Sequence, residues 1–310
     1  MDPKLEKQFL KVTEAAAIAS FAWVGKNDKH AADEAATQAM RKAFNSIDFD
    51  GTVVIGEGER DEAPMLYIGE KLGSGKGPKM DIAVDPLDGT NLAARGVDNA
   101  VCVLASAPAK NLFHAPDTYM DKIAVGPRIG PVVSLSKSIE ENLDAIAKKS
   151  GKKMADITVV VLDRPRHAEI ISRVKAKGAQ IKLIAEGDVF GAIITAFDKA
   201  DVLLGIGAAP EGVLAATALK ILGGYFEGRL KPRDMKDEKR AISMGADINK
   251  IYTIDELVKG EDLFFVATSV TNGFLMKGIH AEGGRITTHS LILTSATKKA
   301  VFVQTTEDSK

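Results

Sequence analysis

The sequence predicts an α/β protein with two domains, and three observations lead there. The chain has 310 residues, enough for two ordinary hydrophobic cores. Short strand-like runs recur along it, at 51–56, 80–84 and 100–105, and again at 157–162, 181–185 and 202–206. Beyond residue 137 these runs alternate with helical stretches, the rhythm of a layered βαβ domain.

Residues 5–22 are rich in alanine and read as a helix. A polar break at 25–29 follows, and Asn27 or Asp28 suits the cap of a second helix running to about Phe44. The run 51–56 is a strand closed by glycine, and 80–84 and 100–105 are two more. Residues 111–131 mix prolines, glycines and aromatics and read as irregular or short-strand structure. A helix is expected at 139–149. The nearly all β-branched run 157–162 suits a strand covered on both faces. Helix 166–177, strand 181–185, helix 190–197, strand 202–206 and helix 213–222 follow, the last stopped by Gly223-Gly224. Two further strand-like runs, 263–268 and 299–303, lie near the end and are compatible with either sheet. The change of rhythm places a domain boundary near residue 150, giving domains 1–150 and 151–310.

Charge is balanced, 41 Lys and Arg against 42 Asp and Glu. That balance argues against a nucleic-acid binder or a polybasic membrane binder. Cys102 is the one cysteine and sits in an apolar run, so it reads as buried filler rather than a disulfide or zinc ligand. The first residues contain no apolar signal core, and no run reaches the roughly 18 apolar residues of a membrane span. A soluble cytoplasmic protein is expected.

Chemistry concentrates at Asp85-Pro86-Leu87-Asp88-Gly89-Thr90, where an apolar run ends in two carboxylates three residues apart. Oxygen-rich clusters of this kind suit hard divalent cations such as magnesium or manganese. Pro86 fixes its own φ and restrains Asp85, which can hold both carboxylates on one side of a turn. An ordinary Asp-Gly turn with Thr90 as helix cap fits the same residues. Asp33, Glu57, Glu59 and Asp61 add upstream acids. Two glycine-rich stretches are not nucleotide loops. Gly73-Ser74-Gly75-Lys76-Gly77 lacks the first Walker glycine and the hydroxyl after lysine, and 56–61 lacks the third Rossmann glycine.

The string DPLDGT is similar to the signature of the metal-dependent, lithium-sensitive phosphatases of sugars and inositol. One branch matches along nearly the whole chain: it resembles class II fructose-1,6-bisphosphatase, the GlpX type. The matching segments are DEAAT at 33–37, IGEGERDEAPML at 55–66, AVDPLDGTN at 83–91, LDRPRH at 162–167, AEGDV at 185–189 and APEG at 209–212. The resemblance implies a layered α/β/α/β/α sugar-phosphatase fold with two packed α/β domains. The first would bind metal and the second substrate.

The same resemblance implies roles residue by residue. Asp33 and Glu57 would bind one metal, and Asp85, Asp88 and Glu211 a second, with ligands shared in part. Manganese is the family's metal, with magnesium as the alternative, and two ions per site are expected. Thr90 would position the attacking water, Asp61 would support it or the metals, and Lys29 would add positive charge near the phosphate. Asp88, Gly89 and Thr90, with Tyr119, Arg164, Pro165, Arg166, Glu186, Gly187, Asp188 and Ala208, would surround a sugar bisphosphate. Ala208 departs from the family's Gly-Gly-Ala-Pro-Glu-Gly by one methyl.

The residues make chemical sense of that assignment. Arg164 and Arg166 offer the fork geometry that a second, unreactive phosphate needs, although surface salt bridging is their bland alternative. Asp188 suits sugar hydroxyls, or simply caps a helix. Glu211 follows Pro210 at the start of a helix, where a carboxylate also favours the dipole. His167 follows the arginines but need not contact phosphate, and a helix-start surface or packing role suits it as well; Trp23 reads as a packing residue rather than a sugar platform. The expected reaction is hydrolysis of the 1-phosphate of D-fructose 1,6-bisphosphate to D-fructose 6-phosphate, in gluconeogenesis. Sedoheptulose-1,7-bisphosphatase, inositol monophosphatase and a non-catalytic sugar-phosphate sensor are the competing readings. A homodimer or homotetramer is implied, with no nucleic acid and no membrane as partner.

Overall fold

A computed structural model describes residues 2–58 and 65–308. Along the chain these form α1 (Pro3–Phe21), α2 (Lys29–Phe44), β1 (Asp50–Ile55), β2 (Lys71–Leu72), β3 (Lys79–Asp88), α3 (Thr90–Arg95) and β4 (Val101–Pro108). There follow β5 (Tyr119–Val125), α4 (Ile139–Ser150), β6 (Thr158–Leu162), α5 (Ala168–Lys177), β7 (Gln180–Ile184), α6 (Asp188–Ile193) and β8 (Val202–Ala208). Next come α7 (Ala209–Leu222), β9 (Tyr225–Lys231), α8 (Met235–Ser243), β10 (Ile251–Thr253) and α9 (Ile254–Leu257). The chain closes with β11 (Phe264–Ser269), β12 (His280–Glu282), β13 (Arg285–Thr294) and β14 (Lys299–Asp308). This is a mixed α/β fold with two sheets interleaved with helices.

Two compact units carry the two sheets. The first contains residues 1–112 and 260–310, the second 113–259. The expected break at residue 150 does not coincide with either crossing. The reason is β5, which pairs antiparallel with β8 along one edge and β9 along the other and so draws 113–150 into the second unit. The tail strands belong to the first sheet, where β11 lies between β4 and β13.

The first sheet has eight strands among the described residues, in the order β12-β13-β11-β4-β3-β1-β2, with β14 on the other side of β13. Its core gathers Phe9, Phe44, Phe49 and Phe264 with Met40, Leu66 and Ile82, all buried. The Phe9 ring meets Phe49 edge-on at 5.2 Å and Phe44 at 5.8 Å, a favoured aromatic geometry. Cys102 is buried and free, and Trp23 packs against this core, both as expected. Asp28 caps α2 by accepting from the Ala31 N–H, while Asn27 takes the left-handed conformation before it.

The second sheet runs β10-β9-β5-β8-β6-β7. β6 lies parallel to both β7 and β8, which is the βαβ arrangement the alternation predicts. Ser138 opens α4 with a reciprocal capping box to Glu141. The segment read as irregular or short-strand structure holds β5, a central strand of seven residues. Its charged pair Asp121-Lys122 hides the strand pattern, because Lys122 points inward and is buried. No helix among the described residues is long and apolar enough to cross a membrane.

Candidate active site

In the first unit the acids converge through strand geometry. β1 and β3 are parallel with Ile55 opposite Ala83. Glu57 and Asp85 each stand two residues beyond that pair, so both lie toward the carboxyl ends of neighbouring strands. Asp33 is on α2, one turn beyond Lys29, and an i,i+4 spacing places the two on one helix face. Lys29 itself is exposed.

Asp85 and Asp88 are brought together by a bulge, not by a turn beyond the strand. β3 continues to Asp88, and its register with β4 runs from Asp85 opposite Val103 to Asp88 opposite Val101. Three steps on β3 therefore match two on β4. Side chains alternate along a strand, so residues three apart ordinarily face opposite ways. One extra residue restores the same facing. Carboxylate oxygens of the two aspartates lie within 4.8 Å of each other. Proline is tolerated here because a bulge leaves a ladder position unpaired. The Leu87 N–H donates to Asp85 Oδ1 at 3.1 Å, which fixes that side chain. Gly89 follows with φ +85, a conformation glycine adopts without strain, and Thr90 is the first residue of α3 rather than its cap.

Electrostatics mark the same cluster. Burial, then the charge of Asp33 and a hydrogen bond to it, push the Glu57 carboxyl up to about 8. Burial raises Asp33 too, against the Glu57 hydrogen bond and the His30 charge. Burial and mutual repulsion thus disfavour two charges on this carboxylate pair, and a cation fits the same donor set. Burial first, then the charges of Asp85, Asp33 and Asp88, raise the nearby Cys102 thiol. The acidic oxygen donors on this unit fit a hard divalent cation. Asp61 lies outside the described residues, as does Glu59.

The second unit assembles another group. The 3-10 turn Pro165–His167 follows β6, with Arg164 extended before it. Arg166 donates from Nε and a terminal nitrogen to the Ile206 carbonyl, at 3.1 and 2.8 Å, and its guanidinium lies 4.7 Å from the Tyr119 ring centre. Tyr119 pairs with Ala208 across β5 and β8. Tyr119, Arg166 and Ala208 thereby gather around one end of β8, while Arg164 stands 3.9 Å from Glu186, just beyond β7. Ala208 has φ −69, ordinary extended backbone, so its methyl introduces no strain. Gly187 mirrors Gly89, taking φ +85 before the short helix α6 that begins at Asp188. Glu211 sits in the first turn of α7.

Two residues of this unit, Lys122 and Arg233, were missed by sequence reasoning, and the packing role read for His167 holds. Lys122 is 2% exposed, and its Nζ donates to Asp188 Oδ2 at 2.6 Å and lies 3.9 Å from Glu211. Burial opposes the charge on Asp188, but Lys122, Glu211 and Arg166 together hold its carboxyl below the usual range. The glycines at 205 and 228, which flank Lys122 on both neighbouring strands, were the available signal. Arg233 places its guanidinium 5.9 Å from the Tyr119 ring. His167 is fully buried and bridges two strands. Its Nδ1 is 2.7 Å from the Leu162 carbonyl, and its Nε2 accepts from the Ile206 N–H at 2.8 Å. That pairing requires the neutral ring protonated on Nδ1.

Comparison with known proteins places this geometry in a family. Residues 3–307 match the family described as bacterial fructose-1,6-bisphosphatase, glpX-encoded. The chain belongs to that family. A class 2 fructose-1,6-bisphosphatase of Haemophilus influenzae is 44% identical over 308 residues, covering 94% of this chain and 92% of that protein. Two proteins named D-fructose 1,6-bisphosphatase class 2/sedoheptulose 1,7-bisphosphatase are also similar. The one from Synechococcus is 40% identical and the one from Prochlorococcus marinus 43% identical, each covering 98% of this chain and 96% of the relative.

Proposed function

We propose that this member of the fructose-1,6-bisphosphatase family removes the 1-phosphate of D-fructose 1,6-bisphosphate by metal-dependent hydrolysis, giving D-fructose 6-phosphate and phosphate. The observation that carries this reading is the bulge that turns Asp85 and Asp88 to one face, within a chain matching the family over residues 3–307. When bound, two divalent cations, manganese or magnesium, would neutralise the reacting phosphate and lower the pKa of a water molecule.

The chain's own residues then divide the work. Asp33, Glu57, Asp85 and Asp88 would hold the cations, and Glu211 is carried over as a further ligand by resemblance alone. The Thr90 hydroxyl would orient the attacking water for in-line displacement, with Asp61 supporting it and Lys29 adding charge near the phosphate. Arg164 and Arg166 would take the second phosphate, helped by the Tyr119 hydroxyl. Arg166 arrives prepaid in orientation, since two of its donors are already fixed on Ile206. Glu186, Gly187 and Asp188 would contact the sugar together with Ala208, and by the resemblance Asp88 and Gly89 also serve the substrate. The resemblance also carries a homo-oligomer, a cytoplasmic setting and a gluconeogenic role into this proposal.

Sedoheptulose 1,7-bisphosphate is the second reading, favoured by the names of two relatives that carry both activities. The deciding assay is phosphate release by metal-stripped protein after manganese or magnesium is restored, with both bisphosphates and inositol 1-phosphate. Metal-dependent turnover favouring the fructose compound supports the proposal. Preference for the sedoheptulose compound moves the substrate, and no turnover by folded, metal-loaded protein rejects the hydrolase reading.

A further inference from the structure

A lysine in the middle of a central strand is an expensive thing to bury, because a lone ammonium loses its hydration. Lys122 is 2% exposed on β5, and the fold is cut around it. Its cross-strand partners are both glycines, Gly205 on β8 and Gly228 on β9. A Cβ at Gly207 would come within 1.9 Å of Asp188 Oδ2 and 3.0 Å of Lys122 Nζ. One at Gly212, on α7, would lie 3.4 Å from Lys122 Cε. Side chains are thus missing at Gly207 on β8 and Gly212 on α7, where this ammonium and its partner carboxylate stand, whereas a Cβ at Gly205 or Gly228 would meet His167 or Met120.

The contacts have a direction. Nζ makes its short bond to Asp188 Oδ2, at 2.6 Å, and stands at 3.9 Å from Glu211. Asp188 opens α6 and Glu211 lies in the first turn of α7, so one ammonium reaches the leading turns of two helices. A pair serving stability alone can be exchanged for apolar side chains at little cost. This one leaves Glu211 30% exposed while Asp188 is held almost fully covered.

We propose that Lys122 is a positioning residue for the phosphatase reaction: its buried ammonium anchors the Asp188 carboxylate at the start of α6 and so holds the Glu186-Gly187-Asp188 turn in the orientation that receives the sugar. The proposal rests on the reading of Asp188 as a sugar contact, made above. Lys122 touches no substrate in this scheme and acts through Asp188.

The test is a double-mutant cycle with K122M, D188N and K122M/D188N in the manganese-loaded enzyme. KM and kcat for fructose 1,6-bisphosphate are measured, together with fructose 6-phosphate affinity by calorimetry. Loss of charge-assisted hydrogen bonds predicts a rise of about 10- to 100-fold in KM and product Kd for D188N. K122M is expected to raise both similarly with kcat changed less than about threefold. The double variant is expected to be no worse than D188N alone. If D188N raises KM and K122M leaves it unchanged, or if the two effects multiply, Lys122 does not act through Asp188 and the proposal is overturned. If D188N changes neither KM nor product affinity, the sugar-contact reading itself fails. Should K122M not fold with a lone buried carboxylate, the double variant still decides. Its KM matching that of D188N supports the proposal, and a further rise overturns it.

Discussion

Replacing His167 by alanine is predicted to destabilise the second unit by about 3–5 kcal/mol. The ring makes two buried hydrogen bonds, to the Leu162 carbonyl at 2.7 Å and from the Ile206 N–H at 2.8 Å. Removing the ring orphans both buried backbone groups at about 1–3 kcal/mol each, so about 2–6 kcal/mol for the pair, with about 3–5 as the central range. The void left by the ring adds to this. H167N keeps a donor near the Nδ1 position and H167Q an acceptor near Nε2, so each is expected to recover roughly half of the loss. Urea unfolding followed by circular dichroism measures the series, and amide exchange at Ile206 reports the lost bond directly. A loss below about 1 kcal/mol for H167A would refute the bridging role.

The same residue gives a pH dependence with a definite sign. Burial first, joined by the Arg166 charge, lowers the His167 pKa below its ordinary value near 6.5. As pH falls below about 6.5 the unfolded chain binds a proton that the native state refuses. Stability is therefore complete above that value and declines as pH falls toward the depressed native pKa. The alanine and glutamine variants are expected to lack this contribution.

Other outcomes follow from the site. Asp85→Ala is expected to lower turnover more than about a hundredfold, beyond the usual effect of a residue merely supporting a metal ligand, and near-normal catalysis with unchanged metal dependence would remove its assignment. Arg166→Ala is expected to weaken bisphosphate binding by about 10- to 100-fold while sparing a monophosphate, and equal losses on both would remove the second-phosphate role.

Much of this was legible in the chain because local chemistry and fold agree. The Asp28 cap, the β-branched run of β6 and the glycine stop at Gly223 each state their element in a few residues. The acids of the metal cluster were readable as residue types, but not the device that aligns them. A three-residue spacing says nothing of facing until the partner strand shows its register. The region of β5 was read only as irregular or short-strand structure, because its pattern is broken by a lysine whose compensating carboxylate lies 66 residues away. Arg233 was missed for a related reason, since its partner Tyr119 is distant in sequence, and the same distance hid which backbone groups the buried His167 bridges. Asp61 lies outside the described residues and keeps only its resemblance.

The first unit is sewn from both ends of the chain, and that has a consequence for birth on the ribosome. β4 needs β11 on one flank, yet about 150 residues separate the two strands. At roughly 5–20 residues per second, the nascent β4 waits on the order of ten seconds for its neighbour. Through that interval it presents an apolar edge, Val101 to Ala105, of the kind that recruits foreign strands. Residues 113–259 are contiguous and can fold during the wait. Slow translation or a shortage of chaperones is thus expected to harm the half that begins the chain more than the half made in between.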